Sequence, residues 1–454
     1  MVRTLPNSRL NRLERAGLGL LVVTLVAFGV VVELRSALQK HRRTDFGVYA
    51  RAGWAAREGL DPYAIEDDRG WHYCYPPPFA VAMIPLADPP TGAPRDFCLP
   101  FAVAVAIWYL VGIACTAFAV DRFARLALPD EPTFSRRWWY ARTGPFLVAI
   151  GAVGHTLARG QVNLLVVACV AAAFRALVER RSFAAGLWIG AAAALKAIPG
   201  FLVLYFLAKR DVRGLVGVAA SLAIGLVVVP TIVWGPREAV ALNSRFLHSV
   251  LQPGATGTGD STRGRELTNA TATDSQSFQA AIHNWMHPIA ATRPAAADPI
   301  ARYGHWLLGG LVTVAILLAI RRLRSNPVDD LIRLGALGAV MLHLSPVSHM
   351  HYYAYALPLV CGVWLKGLHQ APGRVFPSGL VFAALATWGL LTTIPLFDTP
   401  WAASLRSHGA GLAATFVLLR VALAQPVQSR ISAGWPSRSP RTSASAAVLM
   451  RSAP

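Results

Sequence analysis

Long apolar runs separated by short polar segments dominate the pattern of the chain between residues 17 and 424. A helix that crosses a membrane needs about 20 mostly apolar residues, and fewer where it ends inside the protein. Runs of these kinds occupy residues 17–34, 98–120, 146–158, 162–178, 183–195, 198–208, 214–234, 304–320, 331–345, 353–365, 376–394 and 408–424. The pattern therefore predicts an all-α, polytopic membrane protein with about 12 transmembrane or half-membrane helices.

The short runs occur as neighbours, 146–158 with 162–178 and 183–195 with 198–208. At 1.5 Å per residue the first of them reaches only about 20 Å, so its hinge is expected to lie below the membrane surface. Irregular backbone at that depth is tolerated where it is buried in protein or lines a cavity. The pairs therefore predict a recessed, water-filled cavity on one side of the membrane.

Basic residues indicate the orientation of these helices. The chain of 454 residues has 15% charged residues and a formal net charge of +20, and its Arg residues concentrate between the apolar runs. That arrangement is typical of cytoplasmic loops, and it argues against nucleic acid as a partner. With the first run as a retained signal anchor and the N-terminus inside, the segments that fall inside are 121–142, 175–181, 209–213, 321–333 and 366–374.

Two long segments with nearly balanced charge fall outside, as the positive-inside rule expects. We name residues 35–97 the first outer loop and residues 235–303 the second outer loop. Residues 425–454 consist mainly of Ser, Ala, Arg and Pro and are predicted to form a disordered cytoplasmic tail. The chain is thus expected to form one transmembrane domain, residues 1–424, in the cell membrane.

The first outer loop contains the stretch TDFGVYARAGWAAREG, which predicts an amphipathic helix at the membrane interface. Asp45 lies at its start and has two interpretations. It is a helix-capping residue, which position alone favours, or it is a reactive carboxylate whose basicity rises through partial desolvation at the membrane boundary. Three further residues of the loop, Tyr49, Arg51 and Tyr75, are predicted to line a pocket there.

The two hinges contribute polar residues to the same outward side. Gln161 and Asn163 in the first hinge are also predicted to line the pocket. Lys196 interrupts the apolar stretch GAAAALKAIPGF, and an ammonium in such a place either extends to the surface or contacts an anion. Arg159 lies in the other hinge and could share that anion. Two cations near one cavity favour an anionic ligand such as a phosphate.

His349 and His351 occur in a third polar hinge, SPVSHMHYY. A metal pair would need a third Cys, His or carboxylate at a familiar spacing, and the sequence offers none to this pair, so no metal and no cofactor is predicted. Hydrogen bonds to a phosphate or a sugar are favoured over a metal, and a purely structural role stays open.

Six blocks of the chain, in order, resemble glycosyltransferase family 87. They are TDFGVYARAGWAAREGLDPY, YPPPFAVAMIPLA, GQVNLLVVACVAAA, LKAIPGFLVLYFLAKR, SFQAAIHNW and SPVSHMHYYAYALP, within residues 44–365. The family includes polyprenol-phosphate-mannose-dependent mannosyltransferases of phosphatidylinositol mannoside synthesis. The resemblance implies a GT-C-like fold, an active site on the outer face, a polyprenyl-phosphate sugar donor and a general base in the first outer loop.

The resemblance also implies roles for individual residues. Asp45 matches the general base, and Lys196, His349 and His351 match positions associated with the lipid-phosphate donor. Gln161 and Asn163 match that donor site more loosely. The chain departs from the family pattern where Met350 separates the two histidines.

These observations predict a membrane glycosyltransferase that moves a sugar, mannose by the resemblance, from a polyprenyl-phosphate donor to a hydroxyl of a lipid or glycan acceptor. A lone carboxylate suits single-step inversion. The alternative is a transporter or flippase of lipid-linked sugars, because broken helices and buried cations also occur there. Against that alternative, the sequence has no repeated halves and its polar residues gather on one face. A non-catalytic scaffold would leave Asp45 unexplained.

Overall fold

The structure is a computed structural model that describes residues 9–38, 44–256, 263–267, 269, 275–371, 373–377 and 379–424. Within these ranges the chain is helical, and its β-type pairings are two isolated bridges, Glu66 with His72 and Asn269 with Ala296. The all-α class is therefore confirmed. The predicted disordered tail, 425–454, lies outside the described residues.

The described residues form twenty α-helices joined by turns and short 3₁₀ or π segments. They are α1 (Arg12–Glu33), α2 (Phe46–Arg57), α3 (Pro77–Ala82), α4 (Phe101–Ala127), α5 (Arg136–Val148), α6 (Ile150–Arg159), α7 (Asn163–Val178), α8 (Ser182–Leu195), α9 (Val203–Lys209), α10 (Val212–Ala223), α11 (Val229–Phe246), α12 (Gln252–Thr256), α13 (Gly264–Leu267), α14 (Phe278–Met286), α15 (Pro299–Arg321), α16 (Pro327–Leu344), α17 (Leu357–Gln370), α18 (Gly379–Thr393), α19 (Pro400–Ser407) and α20 (Ala410–Ala424). Each predicted apolar run overlaps at least one of them.

Several helical segments are long and apolar enough to cross a membrane, so the multi-pass prediction is confirmed. They are Arg12–Leu38, Phe101–Ala127, Val212–Thr256, Pro299–Arg321 and Gly379–Leu396, with a sixth span if α19 and α20, bent by 56°, form one unit. Three apolar segments are shorter, namely Asn163–Val178, Ser182–Leu195 and Ile198–Lys209. The total of about 12 transmembrane or half-membrane helices, and the domain boundary at 424, stay predictions.

Two predicted spans lie inside the protein. In α16 and α17, Leu331, Leu337, Leu357 and Leu365 have no exposed surface. A helix that is apolar on all sides has the same sequence pattern whether lipid or protein surrounds it. The apolar runs at 331–345 and 353–365 therefore predicted helices correctly, while their burial by neighbouring helices depends on the tertiary packing.

The helix predicted in the first outer loop is α2, but it is not a simple interfacial helix. Val48, Tyr49 and Ala50 are consecutive, so they point in directions about 100° apart around its axis, and each is buried. Gly53 lies so close to the next helical segment that an added Cβ would approach the carbonyl oxygen of Met83 to 2.5 Å. Small residues on one side and aromatic residues on the other allow α2 to be enclosed by protein.

A glycine at the end of α6 brings α2 against the first hinge. Gly160 has φ +63°, in the left-handed region that ends helices and favours glycine. A Cβ at this position would lie 2.7 Å from Thr44 Oγ1 and 2.9 Å from the Cβ of Phe46. Trp108 Nε1 of α4 donates to the Gly160 carbonyl at 2.8 Å. The hinge between α6 and α7 is therefore fixed between α4 and the start of α2.

The second outer loop is mostly helical where the structure describes it. Its predicted start, Gly235, has φ +80° and forms a kink, after which α11 continues to Phe246. Further along, α14 follows Ser277, whose hydroxyl accepts a hydrogen bond from the backbone N–H of Ala280 at 3.0 Å. The loop thus contributes a helix whose beginning lies inside the protein.

Candidate active site

Asp45 lies at the position preceding α2, but its side chain does not cap the helix. The hydroxyl of Thr44 accepts the hydrogen bond from the backbone N–H of Phe46 instead, at 3.0 Å. The carboxylate accepts one hydrogen bond from Arg159 Nη2, at 3.1 Å, and another from Gln161 Nε2. The capping interpretation of Asp45 therefore does not describe its side chain, which faces the first hinge.

Gln161 is oriented by two phenols of the first outer loop. Tyr49 and Tyr75 donate to its Oε1 at 3.0 and 3.2 Å, and their hydroxyls lie 2.7 Å apart. Burial raises the pKa of both tyrosines well above the usual value, so both keep their protons at neutral pH. Because Oε1 accepts these bonds, the amide nitrogen of Gln161 faces Asp45.

Lys196 follows the end of α8 and is buried, so its ammonium does not extend to the surface. Its Nζ donates to Asn163 Oδ1 at 3.0 Å. The same nitrogen lies 4.0 Å from the ring centre of Tyr352 and 5.5 Å from that of Tyr75. Tyr75 connects this nitrogen to Asp45, because the Tyr75 hydroxyl contacts the same Gln161 whose amide binds the carboxylate. An ammonium buried among such partners can bind an anionic ligand.

Asn163 joins the first hinge to the hinge that carries the two histidines. Its Nδ2 donates to the backbone carbonyl of His351 at 3.0 Å, and Thr156 Oγ1 donates to the same carbonyl at 2.9 Å. The hydroxyl of Tyr355 donates to Asn163 Oδ1 at 2.5 Å. The three hinges predicted from the sequence therefore surround one region.

The imidazole of His351 is a buried polar group with two ring nitrogens available to a ligand. Neither of its ring nitrogens has a hydrogen-bond partner among the described residues, and the residue is 2% exposed. Its ring stacks on that of His349, with centroids 5.5 Å apart, and lies 5.7 Å from that of His155. Buried polar nitrogens are nearly always satisfied, so an acceptor or donor from a bound molecule is expected here.

The predicted site residues fall into two groups. Nine of them meet in the region just described, through direct contacts or through a shared neighbour: Asp45, Tyr49, Tyr75, Arg159, Gln161, Asn163, Lys196, His349 and His351. Arg51 does not. It binds the backbone of Asp88 and Glu66 and the carboxylate of Asp68, at 3.0, 3.2 and 2.7 Å, and so stabilises the loop fold on another side of α2. The structure therefore does not bring Arg51 together with the other predicted pocket residues, and its pocket-lining role stays a prediction.

Arg159 was predicted to bind the donor phosphate. In the structure its guanidinium forms an ion pair with the carboxylate of Asp45. Three further residues of the region, His155, Thr156 and Tyr355, were not predicted from the sequence. His155 and Thr156 occur one helical turn before Arg159, so their place on α6 was a readable signal. Tyr355 lies in the block that contains both histidines.

An apolar groove leads away from this region along α7 and α8. It has a volume of about 480 Å³ and also touches α4. Leu165 and Leu195 line the end next to Lys196, and Ala172 and Trp188 line its middle. The sixteen residues of α7 correspond to about 24 Å at 1.5 Å per residue. The groove is therefore long enough to hold a hydrocarbon chain, and Arg175, Glu179 and Arg181 line its far end.

Comparison with known proteins adds the following similarities. Residues 73–346 match the family model for glycosyltransferase family 87. A polyprenol-phosphate-mannose-dependent alpha-(1-2)-phosphatidylinositol mannoside mannosyltransferase of Mycolicibacterium smegmatis is 24% identical over 377 residues, 78% of this chain and 77% of the relative. A polyprenol-phosphate-mannose-dependent alpha-(1-2)-phosphatidylinositol pentamannoside mannosyltransferase of Mycobacterium tuberculosis is 27% identical over 334 residues, 72% of this chain and 64% of the relative.

Among solved structures, ArnT from Cupriavidus metallidurans bound to undecaprenyl phosphate aligns with a TM-score of 0.38 and 17% identity, over 88% of this chain and 76% of that chain. The family match spans more than half of the chain and includes Tyr75, the first hinge and Lys196 of the site, whereas Asp45, His349 and His351 lie outside the matched residues. The protein therefore belongs to glycosyltransferase family 87, the family that its sequence blocks resemble.

Proposed function

We propose that the protein transfers a sugar from a polyprenyl-phosphate donor to a hydroxyl of a lipid or glycan acceptor, on the outer face of the cell membrane. The observation that carries the proposal is one carboxylate, Asp45, in the same region as the buried ammonium of Lys196 and the unsatisfied imidazole of His351. The relatives named above depend on polyprenol-phosphate-mannose, which makes mannose the sugar to test first.

Lys196 and His351 would hold the donor phosphate. A buried ammonium stabilises the charge that develops on a leaving phosphate, and it needs no reorganisation because its position is fixed by Asn163 and Tyr352. The apolar groove begins beside Lys196, at Leu195, and is the expected path of the polyprenyl tail. Head and tail of one lipid would thus be bound by adjacent parts of the protein.

Asp45 would act as general base toward the acceptor. One carboxylate oxygen is bound by Arg159, whose side chain is 36% exposed, and the other by Gln161. When Arg159 turns toward the incoming phosphate, Oδ1 of Asp45 becomes available to the acceptor hydroxyl. The hydroxyl oxygen then bonds to the anomeric carbon, its proton moves to Asp45, and the bond from that carbon to the phosphate oxygen breaks.

The transfer should invert the anomeric configuration. A double displacement would need a second carboxylate close to the first, whereas the contacts of Asp45 are with Arg159 and Gln161. A β-linked donor would then give an α-linked product. The outward orientation follows from the Arg-rich segments assigned to the inner side, and an outer site without access to nucleotide sugars requires a lipid-linked donor.

Replacement of Asp45 tests the proposal. Purified protein in detergent or membranes is supplied with polyprenyl-phosphate-mannose and a phosphatidylinositol mannoside acceptor, and product is measured by mass spectrometry. We expect Asp45→Asn to lower kcat by about 10³-fold, since general-base catalysis contributes about 10²–10⁴-fold. Asp96→Asn in the same loop is the matched control, because Asp96 is exposed at a turn away from the site, and its rate should stay within about twofold.

A flippase predicts a different pattern. Labelled polyprenyl-phosphate sugar would then cross the bilayer of reconstituted vesicles, and Asp45→Asn would leave that movement unchanged. If a well-folded Asp45→Asn protein, with the thermal midpoint of wild type, keeps more than about a tenth of the transfer rate, Asp45 is not the general base. Labelling of a cysteine introduced at Ala255, an exposed position of the second outer loop, by an impermeant reagent in intact cells checks the orientation, and failure to label would reverse it.

A further inference from the structure

A second cluster of chemically active side chains lies in the second outer loop. His283 is in the last turn of α14, His287 follows the end of that helix, and Asp298 precedes α15. The two histidines are four residues apart, so they share one helix face. One ligand atom from each of the three residues lies within 4.8 Å of the other two. The arrangement has the residue types and the spacing of a metal site.

The ring of His283 is oriented with its lone pair toward the cluster. Its Nε2 lies 2.9 Å from the backbone carbonyl of Pro294, and a carbonyl can only accept, so this nitrogen carries the proton. Nδ1 is then unprotonated in the neutral ring and lies 3.4 Å from Asp298 Oδ2. It is buried and makes no hydrogen bond within the described part of the chain. Metal-bound histidines usually have their second nitrogen fixed in this way.

The side chain of Asp298 does not act as a helix cap. It occupies the position before α15, where an aspartate normally accepts a hydrogen bond from the first turn, but its side chain makes no such bond. Its Oδ2 accepts from His287 Nε2 instead. Capping was available at this position, and the carboxylate is nevertheless directed at the two imidazoles.

We propose that His283 Nδ1, His287 Nε2 and Asp298 Oδ2 bind Zn²⁺. The ion would replace the proton between His287 and Asp298, and water would fill a fourth position. Tetrahedral ligands about 2.0–2.1 Å from zinc lie roughly 3.4 Å apart, close to the separation of His283 Nδ1 and Asp298 Oδ2. His287 Nε2 would move away from Asp298 Oδ2 when the ion replaces their hydrogen bond. Two nitrogen ligands favour zinc over Mg²⁺ or Ca²⁺, which prefer oxygen. The half-buried side chains of His287 and Asp298, 31% and 34% exposed, give the ion access.

The ion would join the loop between α14 and α15 to a helix that touches the active-site region. At the start of α14, Ser277 Oγ donates to the Pro346 carbonyl at 2.7 Å, and Gln276 N donates to the Ser348 carbonyl at 2.6 Å. These residues begin the hinge that carries the two active-site histidines. Zinc is therefore expected to stabilise the fold of the second outer loop against that hinge. This structural role is separate from the proposed transfer chemistry.

Zinc content tests the site directly. Full-length protein purified without a polyhistidine tag is treated with a chelator, exchanged into buffer, loaded with Zn²⁺ and analysed for bound metal and thermal midpoint. We expect about one zinc per chain and a zinc-dependent rise in the midpoint. His287→Ala and Asp298→Asn should bind zinc at least about tenfold more weakly and lose the rise. His248→Ala, an exposed histidine of the same loop, should behave as wild type.

Cobalt(II) provides a second readout, because a tetrahedral nitrogen and oxygen site gives visible absorption that zinc displaces and millimolar Mg²⁺ does not. Two results would overturn the proposal. Wild-type protein that holds less than about 0.2 zinc per chain has no such site. Equal zinc content in wild type, His287→Ala and Asp298→Asn, each with an unchanged midpoint before zinc is added, assigns the metal to other histidines.

Discussion

The two outer loops are built in different ways. In the first, side chains next to the candidate base are enclosed, and Tyr49 and Gln161 of the adjoining first hinge are 0% and 8% exposed. In the second, the helix α14 begins inside the protein, but the apolar side chains beyond it are open to the surroundings. Trp285, Ile289 and Tyr303 are 67%, 66% and 77% exposed.

This difference separates two tasks. A general base must be held within a narrow range of positions, and buried hydrogen-bonded neighbours provide that restraint. A surface that meets a membrane or a lipid acceptor needs apolar and aromatic side chains that remain uncovered. We therefore expect substitutions in the first outer loop and its hinge to reduce kcat, and substitutions at the exposed end of the second loop to affect acceptor binding.

The largest effect is expected at Gln161, which orients Asp45 and is itself held by Tyr49 and Tyr75. Gln161→Met removes the amide contact to the carboxylate and leaves two buried phenols without their acceptor. We expect kcat to fall about 100-fold, corresponding to about 2.7 kcal/mol of activation free energy, with little change in donor KM.

Gln252→Met, an exposed glutamine of the second outer loop, is the matched control and should keep the wild-type rate. The kcat-to-KM split distinguishes positioning of the base from a general loss of fold, which would lower the thermal midpoint and the active fraction together. If the Gln161→Met protein has the wild-type kcat and thermal midpoint, the first outer loop does not position the base through Gln161. The proposed difference in task between the two loops would then be wrong.

Much of this arrangement was readable from the sequence. The apolar runs predicted the helices, and the charge pattern placed Asp45, Lys196 and His351 on one side, which the structure brings into one region. Helical periodicity also indicates that Arg51 lies on a different side of α2 from Asp45 and Tyr49. At 100° per residue, Tyr49 lies about 40° from Asp45 around α2, whereas Arg51 lies about 120° away.

Other features depend on tertiary packing and have no local signal. Arg159 is bound to Asp45 because Gly160 lets the first hinge approach the start of α2 closely, and a sequence pattern does not reveal that approach. The same holds for Asp298, which comes within reach of His283 and His287 only after the intervening loop has folded. The spacing of the two histidines was visible in the sequence, but their third neighbour was not.

The next largest effect is expected at Lys196, which contacts Tyr75 of the first loop and Asn163 of the hinge. Lys196→Met keeps the length of the side chain and removes a buried charge, so the fold should tolerate it. A hydrogen bond to a charged group contributes about 2 kcal/mol, and we expect kcat/KM for the donor to fall about thirtyfold with acceptor KM unchanged. Steady-state kinetics with each substrate varied in turn measures both.

Lys209→Met is the control, because this lysine lies at the end of α9 and pairs with Asp330 at 3.6 Å. Its kcat/KM for the donor should match that of wild type. If Lys196→Met changes acceptor KM more than kcat/KM for the donor, the phosphate is bound elsewhere, and the ammonium serves the acceptor side of the pocket instead.

A smaller effect is expected in the apolar groove, and it tests whether the tail of the donor occupies this groove. Ala172→Trp fills the middle of the groove with an indole. A long polyprenyl tail would be displaced and a short one would not, so we expect donor KM to rise about fivefold for a long-chain donor only. Ala220→Trp, on an apolar face of α10 outside the groove lining, is the comparison variant. An equal effect on both donors would mean that the tail lies elsewhere.

The smallest effect is expected at Trp285, the exposed aromatic residue at the end of α14. Its indole makes an edge contact with His408, with ring centroids 5.5 Å apart, and is otherwise largely uncovered, so Trp285→Ala should cost little stability. We expect acceptor KM to rise about threefold, within the roughly 1 kcal/mol that one exposed aromatic contact contributes, while kcat and donor KM remain unchanged. Acceptor titration in vesicles at fixed donor concentration measures the change. A fall in kcat as large as that of Gln161→Met would show that the second loop takes part in the chemical step, and the two loops would then share a task that their different burial assigns to one of them.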